Sequence, residues 1–134
     1  MDLDDPLARF PCPCCGHLVF SRPPGYHQVC PICLWEDELA QLRFPRSTGI
    51  SNNVSLLQAQ RNFQLHGVAE VRNRGRGRDA VQGEEVEPGW RPIDPKRDNL
   101  EEPRRGVDYD ATYPWADTTV LYYWRSSYWR KLSS

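Results

Sequence analysis

The chain has 134 residues, of which 39 % are hydrophobic, and its formal net charge is −1. This length suits one domain with a compact core, and the near-zero charge excludes a protein that binds nucleic acid as a polycation along its whole length. The sequence contains no run of about 18 apolar residues, so we expect no membrane-spanning helix.

The N-terminus is acidic and begins Met1-Asp2-Leu3-Asp4-Asp5, without the apolar stretch that a secretory signal peptide requires. We expect residues 1–9 to be a mobile leader, residues 10–134 to form a single domain, and the protein to be cytoplasmic. In a reducing compartment, clustered cysteines are more often metal ligands or catalytic groups than disulfides.

The five cysteines lie close together and include two matched pairs, reading CPCC at residues 12–15 and CPIC at residues 30–33. A gap of two residues lets one tight turn aim both sulfurs at a single ion. Two such turns facing each other give four sulfurs in a tetrahedron, which is the geometry of structural zinc sites. The spacing therefore predicts a zinc ion, Zn²⁺, with four ligands: Cys12, Cys15, Cys30 and Cys33.

Four thiolates leave no open coordination position, whereas catalytic zinc sites keep one. We therefore expect the ion to stabilise the fold, and we expect no enzymatic activity. A rubredoxin-like iron site is the competing interpretation, because it uses the same pair of turns and the same sulfur ligands. Cys14 is predicted to be a small residue that is not a ligand, and His17 and His27 are predicted to lie outside the metal site.

Short strands are predicted at residues 18–20 and 27–29, on either side of the loop that joins the cysteine pairs. Together with the two turns they predict a small zinc-ribbon-like β element and its tail over residues 10–50. Within the tail, residues 36–42 are compatible with a helical turn, and Pro45 interrupts any longer helix. Trp35 is predicted to pack over the second cysteine pair.

Residues 51–69 contain the clearest helix. Ser55 is a good N-cap, Gln58 stands where the partner of a capping box belongs, and Gly67 supplies a left-handed stop. Arg61 and Asn62 are predicted to lie on the outer side of the helix. The buried face is predicted to consist of Leu56, Ala59, Gln60 and Phe63.

Residues 70–112 are polar and rich in glycine, proline and charge, so we expect mostly loop, anchored by Val86, Trp90 and Ile93. Residues 113–134 form an aromatic C-terminal segment, and the run TTVLYYW at residues 118–124 predicts a strand. These aromatic residues either complete the core or form an exposed contact surface, and we favour the core. The fold predicted is α+β: the zinc-ribbon-like β element, one capped helix, a long irregular segment and an aromatic C-terminal strand.

Three blocks of the sequence resemble a known family. They are FPCPCCG at residues 10–16, CPICLWED at residues 30–37, and a helix block over residues 53–67 that starts Asn-Val-Ser-Leu and continues with Ala59, Arg61, Asn62, Phe63 and Gly67. Together they resemble the bacterial cysteine-rich CPCC domain proteins over about residues 10–95. The resemblance implies a zinc-binding domain, and it implies no particular biochemical activity.

Three functions remain after these observations, and a rubredoxin-like iron redox protein is the least favoured of them. The leading hypothesis is a non-enzymatic zinc protein that binds another protein, for example as an immunity-type or antitoxin-type inhibitor. The alternative is a zinc-ribbon protein that binds nucleic acid through the glycine-rich loop carrying Arg72, Arg74, Arg76 and Arg78. An acidic cluster beside Trp35 is predicted to be solvated or hydrogen-bonded rather than catalytic, since no nucleophile accompanies Glu36, Asp37 and Glu38.

Overall fold

A computed structural model describes residues 9–48, 51–102 and 116–130. In chain order the elements are strand β1 (Phe10–Pro11), strand β2 (Leu18–Phe20), helix α1 (Leu39–Arg43), helix α2 (Leu56–His66), and two short 3₁₀ helices, Val71–Asn73 and Thr118–Leu121. This is a small α+β fold. The first eight residues of the predicted leader lie outside the described residues, as do Tyr113 and Trp115.

The sheet consists of β1 and β2, which pair antiparallel with Phe10 opposite Phe20. The strand predicted at residues 27–29 is wrong, because His27 has a φ of 57° and leaves the extended conformation. In this stretch only Val29 forms a β-bridge, with Glu36 on the far side of the second cysteine pair. Each cysteine pair therefore sits at the tip of a short antiparallel ribbon.

Helix α1 lies where the sequence is compatible with a helical turn, residues 36–42, so the described fold has a second α-helix besides the capped one. It begins after Glu38, whose side-chain oxygen accepts a hydrogen bond from the Ala40 N–H at 3.2 Å. A carboxylate in this position satisfies one of the free N–H groups of the first turn. The helix ends at Arg43, shortly before Pro45, which cannot continue it.

Helix α2 has the predicted ends. The Ser55 hydroxyl accepts a hydrogen bond from the Gln58 N–H at 3.0 Å, and Gly67 stops the helix with a φ of 77°. The capping box is incomplete, because the Gln58 side chain donates to Asn62 instead of turning back to Ser55. The prediction that Asn62 faces outward is wrong: its amide is buried and donates to the Ala69 carbonyl at 2.8 Å.

The long segment after α2 is irregular as predicted, over the part that the structure describes, apart from the 3₁₀ turn at Val71–Asn73. Ile93 is buried and Trp90 packs against the core, so both act as anchors. The Val86 side chain is 42 % exposed and does not anchor the segment. Its backbone instead forms an isolated β-bridge with His17, which lies two residues after the first cysteine pair.

The predicted C-terminal strand is wrong. Residues Thr118–Leu121 form a 3₁₀ helix, because the Asp117 carboxylate accepts hydrogen bonds from the Thr119 N–H at 3.0 Å and the Thr119 hydroxyl at 2.6 Å. This local capping prevails over the β-propensity of the run. The aromatic residues after it nevertheless fill the core, which is the alternative that the sequence analysis favours over an exposed contact surface. The buried ones are Tyr122, Tyr123, Trp124 and Tyr128.

The described residues share one hydrophobic core, in which the cysteines lie among aromatic and aliphatic side chains contributed from Phe10 to Tyr128. In the described part of the chain, every helix is too short or too polar to cross a membrane.

Candidate metal centre

The first cysteine turn is built by three local features. The Cys12 carbonyl accepts a hydrogen bond from the Gly16 N–H at 2.7 Å, and the Cys12 N–H donates to the His17 carbonyl at 2.9 Å. Gly16 has a φ of 83°, which reverses the chain and which glycine adopts without steric cost. The turn thereby points Cys12 and Cys15 into the core.

The second turn repeats this construction. The Leu34 N–H donates to the Cys30 carbonyl at 2.9 Å, and the Cys30 N–H donates to the Trp35 carbonyl at 2.9 Å. Leu34 takes the position of Gly16, with a φ of 66°, a left-handed conformation that a leucine rarely adopts. The Cys33 N–H also points at the Cys30 sulfur, at 3.5 Å.

The two turns bring four sulfurs together. The Sγ atoms of Cys12, Cys15, Cys30 and Cys33 all lie within 4.8 Å of one another. Cys12 and Cys33 are 3.6 Å apart and Cys15 and Cys30 are 3.8 Å apart, and none of them is in a disulfide. A zinc ion with Zn–S bonds of about 2.3 Å places its four sulfurs about 3.8 Å apart, so this cluster fits such an ion.

The cluster is closed to solvent, because each of its four cysteines is no more than 2 % exposed. Burial raises the pKa of the Cys12 and Cys33 thiols, whereas hydrogen bonds from Cys12 and Cys15 lower the pKa of Cys30. Four thiolates so close together repel one another unless a cation neutralises them. The donor set and its burial therefore suit a bound metal ion that no substrate can reach.

The other sulfur and nitrogen groups nearby lie outside the cluster. Cys14 is fully buried next to it, and burial raises the pKa of its thiol. The His17 ring nitrogen Nδ1 lies 2.6 Å from the Glu84 carbonyl oxygen, and the His27 Nδ1 lies 3.2 Å from the Glu36 carboxylate. Both imidazoles thus contact oxygen atoms outside the four-sulfur cluster.

Trp90 covers the first turn, a role that the sequence did not reveal. A Cβ added to Gly16 would lie 2.5 Å from Cδ2 of the Trp90 ring, so the indole rests directly on this glycine. The Glu87 N–H donates to the Gly16 carbonyl at 2.8 Å and holds the covering segment in place. The indole N–H of Trp90 is buried and has no hydrogen-bond partner among the described residues.

This contact leads to a test with a matched control. Gly16→Ala and Gly67→Ala both place a Cβ at a positive φ, which costs about 1–2 kcal/mol. At Gly67 nothing lies within 4 Å of the added Cβ, whereas at Gly16 the indole must move. We expect Gly16→Ala to lower the free energy of unfolding by about 1–3 kcal/mol more than Gly67→Ala. Urea denaturation of metal-loaded protein measures both, and equal losses would contradict the contact with Trp90.

Asp37 has a structural role in the acidic cluster. Its buried carboxylate accepts hydrogen bonds from the Gly25 and Tyr26 N–H groups at 2.9 and 3.0 Å. Burial raises the pKa of Asp37, and these two hydrogen bonds oppose that change. Asp37 therefore holds the loop that precedes the second cysteine pair, in agreement with the predicted hydrogen-bonding role. Trp35 is buried in the same core as the cysteines.

The fold and the four-sulfur cluster together define a small cysteine-rich protein with a structural metal-binding role. A family model described as cysteine-rich CPCC matches residues 10–84, a region that contains both cysteine turns and α2. The chain belongs to this family. No curated protein matches it.

Proposed function

We propose that this is a non-enzymatic, cytoplasmic zinc protein in which Cys12, Cys15, Cys30 and Cys33 hold one structural Zn²⁺ ion in a zinc-ribbon-like element. The observation that carries the proposal is the buried cluster of four sulfurs, all within 4.8 Å of one another. A closed site of this kind supplies free energy of folding and keeps no coordination position for a substrate.

Zinc and iron both suit four thiolate ligands, so the choice of metal needs its own measurement. Zinc is favoured because paired turns of this spacing most often form closed zinc sites. We expect the purified protein to be colourless and to contain one zinc per chain by elemental analysis. A coloured protein with one iron per chain would establish the rubredoxin-like alternative instead.

We further propose that the protein acts by binding another protein, with an immunity-type or antitoxin-type inhibitor as one form of this function. The buried aromatic residues at the C-terminus do not support this proposal, because their side chains complete the core. Support comes from the closed cluster of four sulfurs and from the exposed arginine loop, residues 72–78, whose Arg78 N–H donates to the Pro31 carbonyl of the second cysteine turn. Affinity purification of the tagged, zinc-loaded chain tests it, and recovery of no stoichiometric partner would count against it.

Nucleic-acid binding is the second candidate function, and it depends on the loop between Arg72 and Arg78. Arg72 pairs with Glu70 at 3.0 Å and Arg78 with Glu84 at 2.7 Å, whereas no ion pair with a described residue involves Arg74 or Arg76. In this loop, two arginines rather than four are thus left for phosphates.

The number of available arginines predicts the salt dependence of any such binding. Two phosphate contacts on a single strand give a slope of about −1.4 for log K against log salt concentration, whereas four give about −2.8. We expect weak binding of a short oligonucleotide with the shallower slope, abolished by Arg74→Ala with Arg76→Ala. Fluorescence anisotropy over a salt series measures both. A slope near the steeper value would show that all four arginines bind phosphates.

A further inference from the structure

The basic residues of this protein are concentrated in one stretch. Residues 56–78, which comprise α2 and the loop after it, contain five of the 17 basic residues and only one of the 18 acidic residues. That acidic residue, Glu70, is buried and bonded to Asn53 and Arg72. The exposed part of this stretch is therefore positive on a molecule whose net charge is −1. We call the end of α2 and the loop after it the basic face; its arginines are Arg72, Arg74, Arg76 and Arg78.

The arginine loop is attached to the second cysteine turn by its backbone. The Ala69 N–H donates to the Cys33 carbonyl at 2.8 Å, and the Arg78 N–H donates to the Pro31 carbonyl at 3.2 Å. Between these points, Gly77 approaches the Ile32 carbonyl so closely that an added Cβ would overlap its oxygen. The metal-binding turn therefore holds both ends of the loop.

The basic face also has a cleft and exposed apolar groups. The end of α2 and the loop line an open cleft of about 280 Å³, and its lining includes Ile32, His66 and Val68 together with one basic and one acidic residue, Arg78 and Asp79. Leu65, one residue before His66, is 76 % exposed, and Val71 is 41 % exposed. The one aromatic residue of this stretch, Phe63, is partly buried against the core.

From these contacts and charges we propose that the basic face is a docking surface for an acidic segment of a partner protein, and that the metal-binding turn keeps it in its binding shape. The inference rests on the proposed protein-binding function and adds the location and the chemistry of the partner. Carboxylates would complement Arg74 and Arg76, and aliphatic side chains would cover Leu65 and Val71. Single-stranded RNA fits less well, because it is bound largely by stacking on exposed aromatic side chains.

The attachment of the loop to the turn has an energetic consequence for binding. Arginine side chains on a flexible loop lose backbone freedom when a partner binds, and this loss weakens affinity. Here the turn has already restricted the loop. Gly77→Ala keeps every charge of the basic face but displaces the loop from Ile32, so it separates the contribution of shape from that of charge.

The test uses the zinc-loaded full chain and two labelled probes: a short peptide of glutamates interspersed with leucines, and a single-stranded oligouridylate of equal length. At about 50 mM salt we expect the peptide to bind more tightly than the RNA. We expect Arg74→Gln with Arg76→Gln to weaken peptide binding at least about tenfold. The matched control, Lys96→Gln with Arg97→Gln, removes the same charge from two exposed residues elsewhere, and we expect it to change binding less than about twofold.

We expect Gly77→Ala to weaken peptide binding at least about threefold while zinc content stays at one per chain. The proposal would be overturned by equal losses of peptide affinity in the two double variants, by tighter binding of the RNA than of the peptide, or by no peptide binding.

Affinity purification distinguishes failure of the docking surface from failure of the proposed protein-binding function. If a partner copurifies equally with wild type and with Arg74→Gln/Arg76→Gln, the protein binds proteins through another surface. If wild type recovers none, the protein-binding function itself fails.

Discussion

Cys30→Ser, or removal of the metal with a chelator, is expected to unfold the whole described core and not only its N-terminal half. The cysteines share one hydrophobic core with Tyr122, Tyr123 and Trp124, so the loss of the cluster removes the centre against which the C-terminal aromatics pack. Structural zinc supplies about 10–16 kcal/mol in small zinc-finger peptides. Typical domains are stable by only about 5–15 kcal/mol, so little remains without the metal.

Far-UV circular dichroism, thermal scans and zinc analysis on the same samples measure this loss. Cys14→Ala is the matched control, because it removes a neighbouring buried thiol that lies outside the four-sulfur cluster. We expect this variant to keep one zinc per chain and a cooperative transition. A metal-free protein that keeps its spectrum and its melting temperature would contradict the structural role of the metal.

Gln60→Met is expected to cause a large loss of stability although it lies away from the cysteines in the sequence. The buried Gln60 amide donates to the Pro13 carbonyl at 2.9 Å and to the Tyr123 hydroxyl at 2.9 Å, and its oxygen accepts from the Ile93 N–H at 2.8 Å. One side chain thus joins the first cysteine turn, the long irregular segment and the aromatic C-terminus. Methionine has a similar length but cannot replace these bonds. It leaves the Pro13 carbonyl and the Ile93 N–H without the Gln60 amide, whereas the Tyr123 hydroxyl keeps its bond to the Arg91 carbonyl.

Each buried partner left unsatisfied costs about 1–3 kcal/mol, so for two of them we expect a loss of at least about 2 kcal/mol in the free energy of unfolding. Urea denaturation of the zinc-loaded protein measures it. Gln64→Met makes the same change four residues later on α2, at an exposed position, and we expect it to stay within about 0.5 kcal/mol of wild type. A Gln60→Met protein as stable as Gln64→Met would show that the three hydrogen bonds do not join these segments.

The parts that sequence predicted well are those governed by local rules. The two-residue gaps set the geometry of the cysteine turns, and Ser55 and Gly67 determine the ends of α2 through bonds to residues close by in the chain. The resemblance to the CPCC family rested on the same residues. Each of these signals lies within a few consecutive positions, where spacing and side-chain chemistry suffice.

The parts that sequence missed have two causes: contacts between segments, and one local cap that competes with strand propensity. Asn62 is polar and is predicted to be exposed, but its side-chain amide is buried and donates a hydrogen bond to the Ala69 carbonyl. The run at residues 118–124 has strand propensity, yet Asp117 caps a 3₁₀ helix there. Trp90 looked like a general anchor, and only the folded chain shows its ring on Gly16. The contact of Trp90 with Gly16 lies outside any short window, whereas the Asp117 cap is local and prevails over the strand propensity of the run.

The positions of the four cysteines along the chain also bear on how this protein assembles. The sulfur pairs Cys12–Cys33 and Cys15–Cys30 close loops of 21 and 15 residues, whereas the bond between Gln60 and Tyr123 spans 63 residues. Short loops close with a smaller loss of entropy and more quickly than long ones. During synthesis, a chain released only as far as α1 already holds all four cysteines of the proposed metal site. We therefore expect the ion to be captured first and the aromatic C-terminus to pack afterwards onto a centre that is already formed.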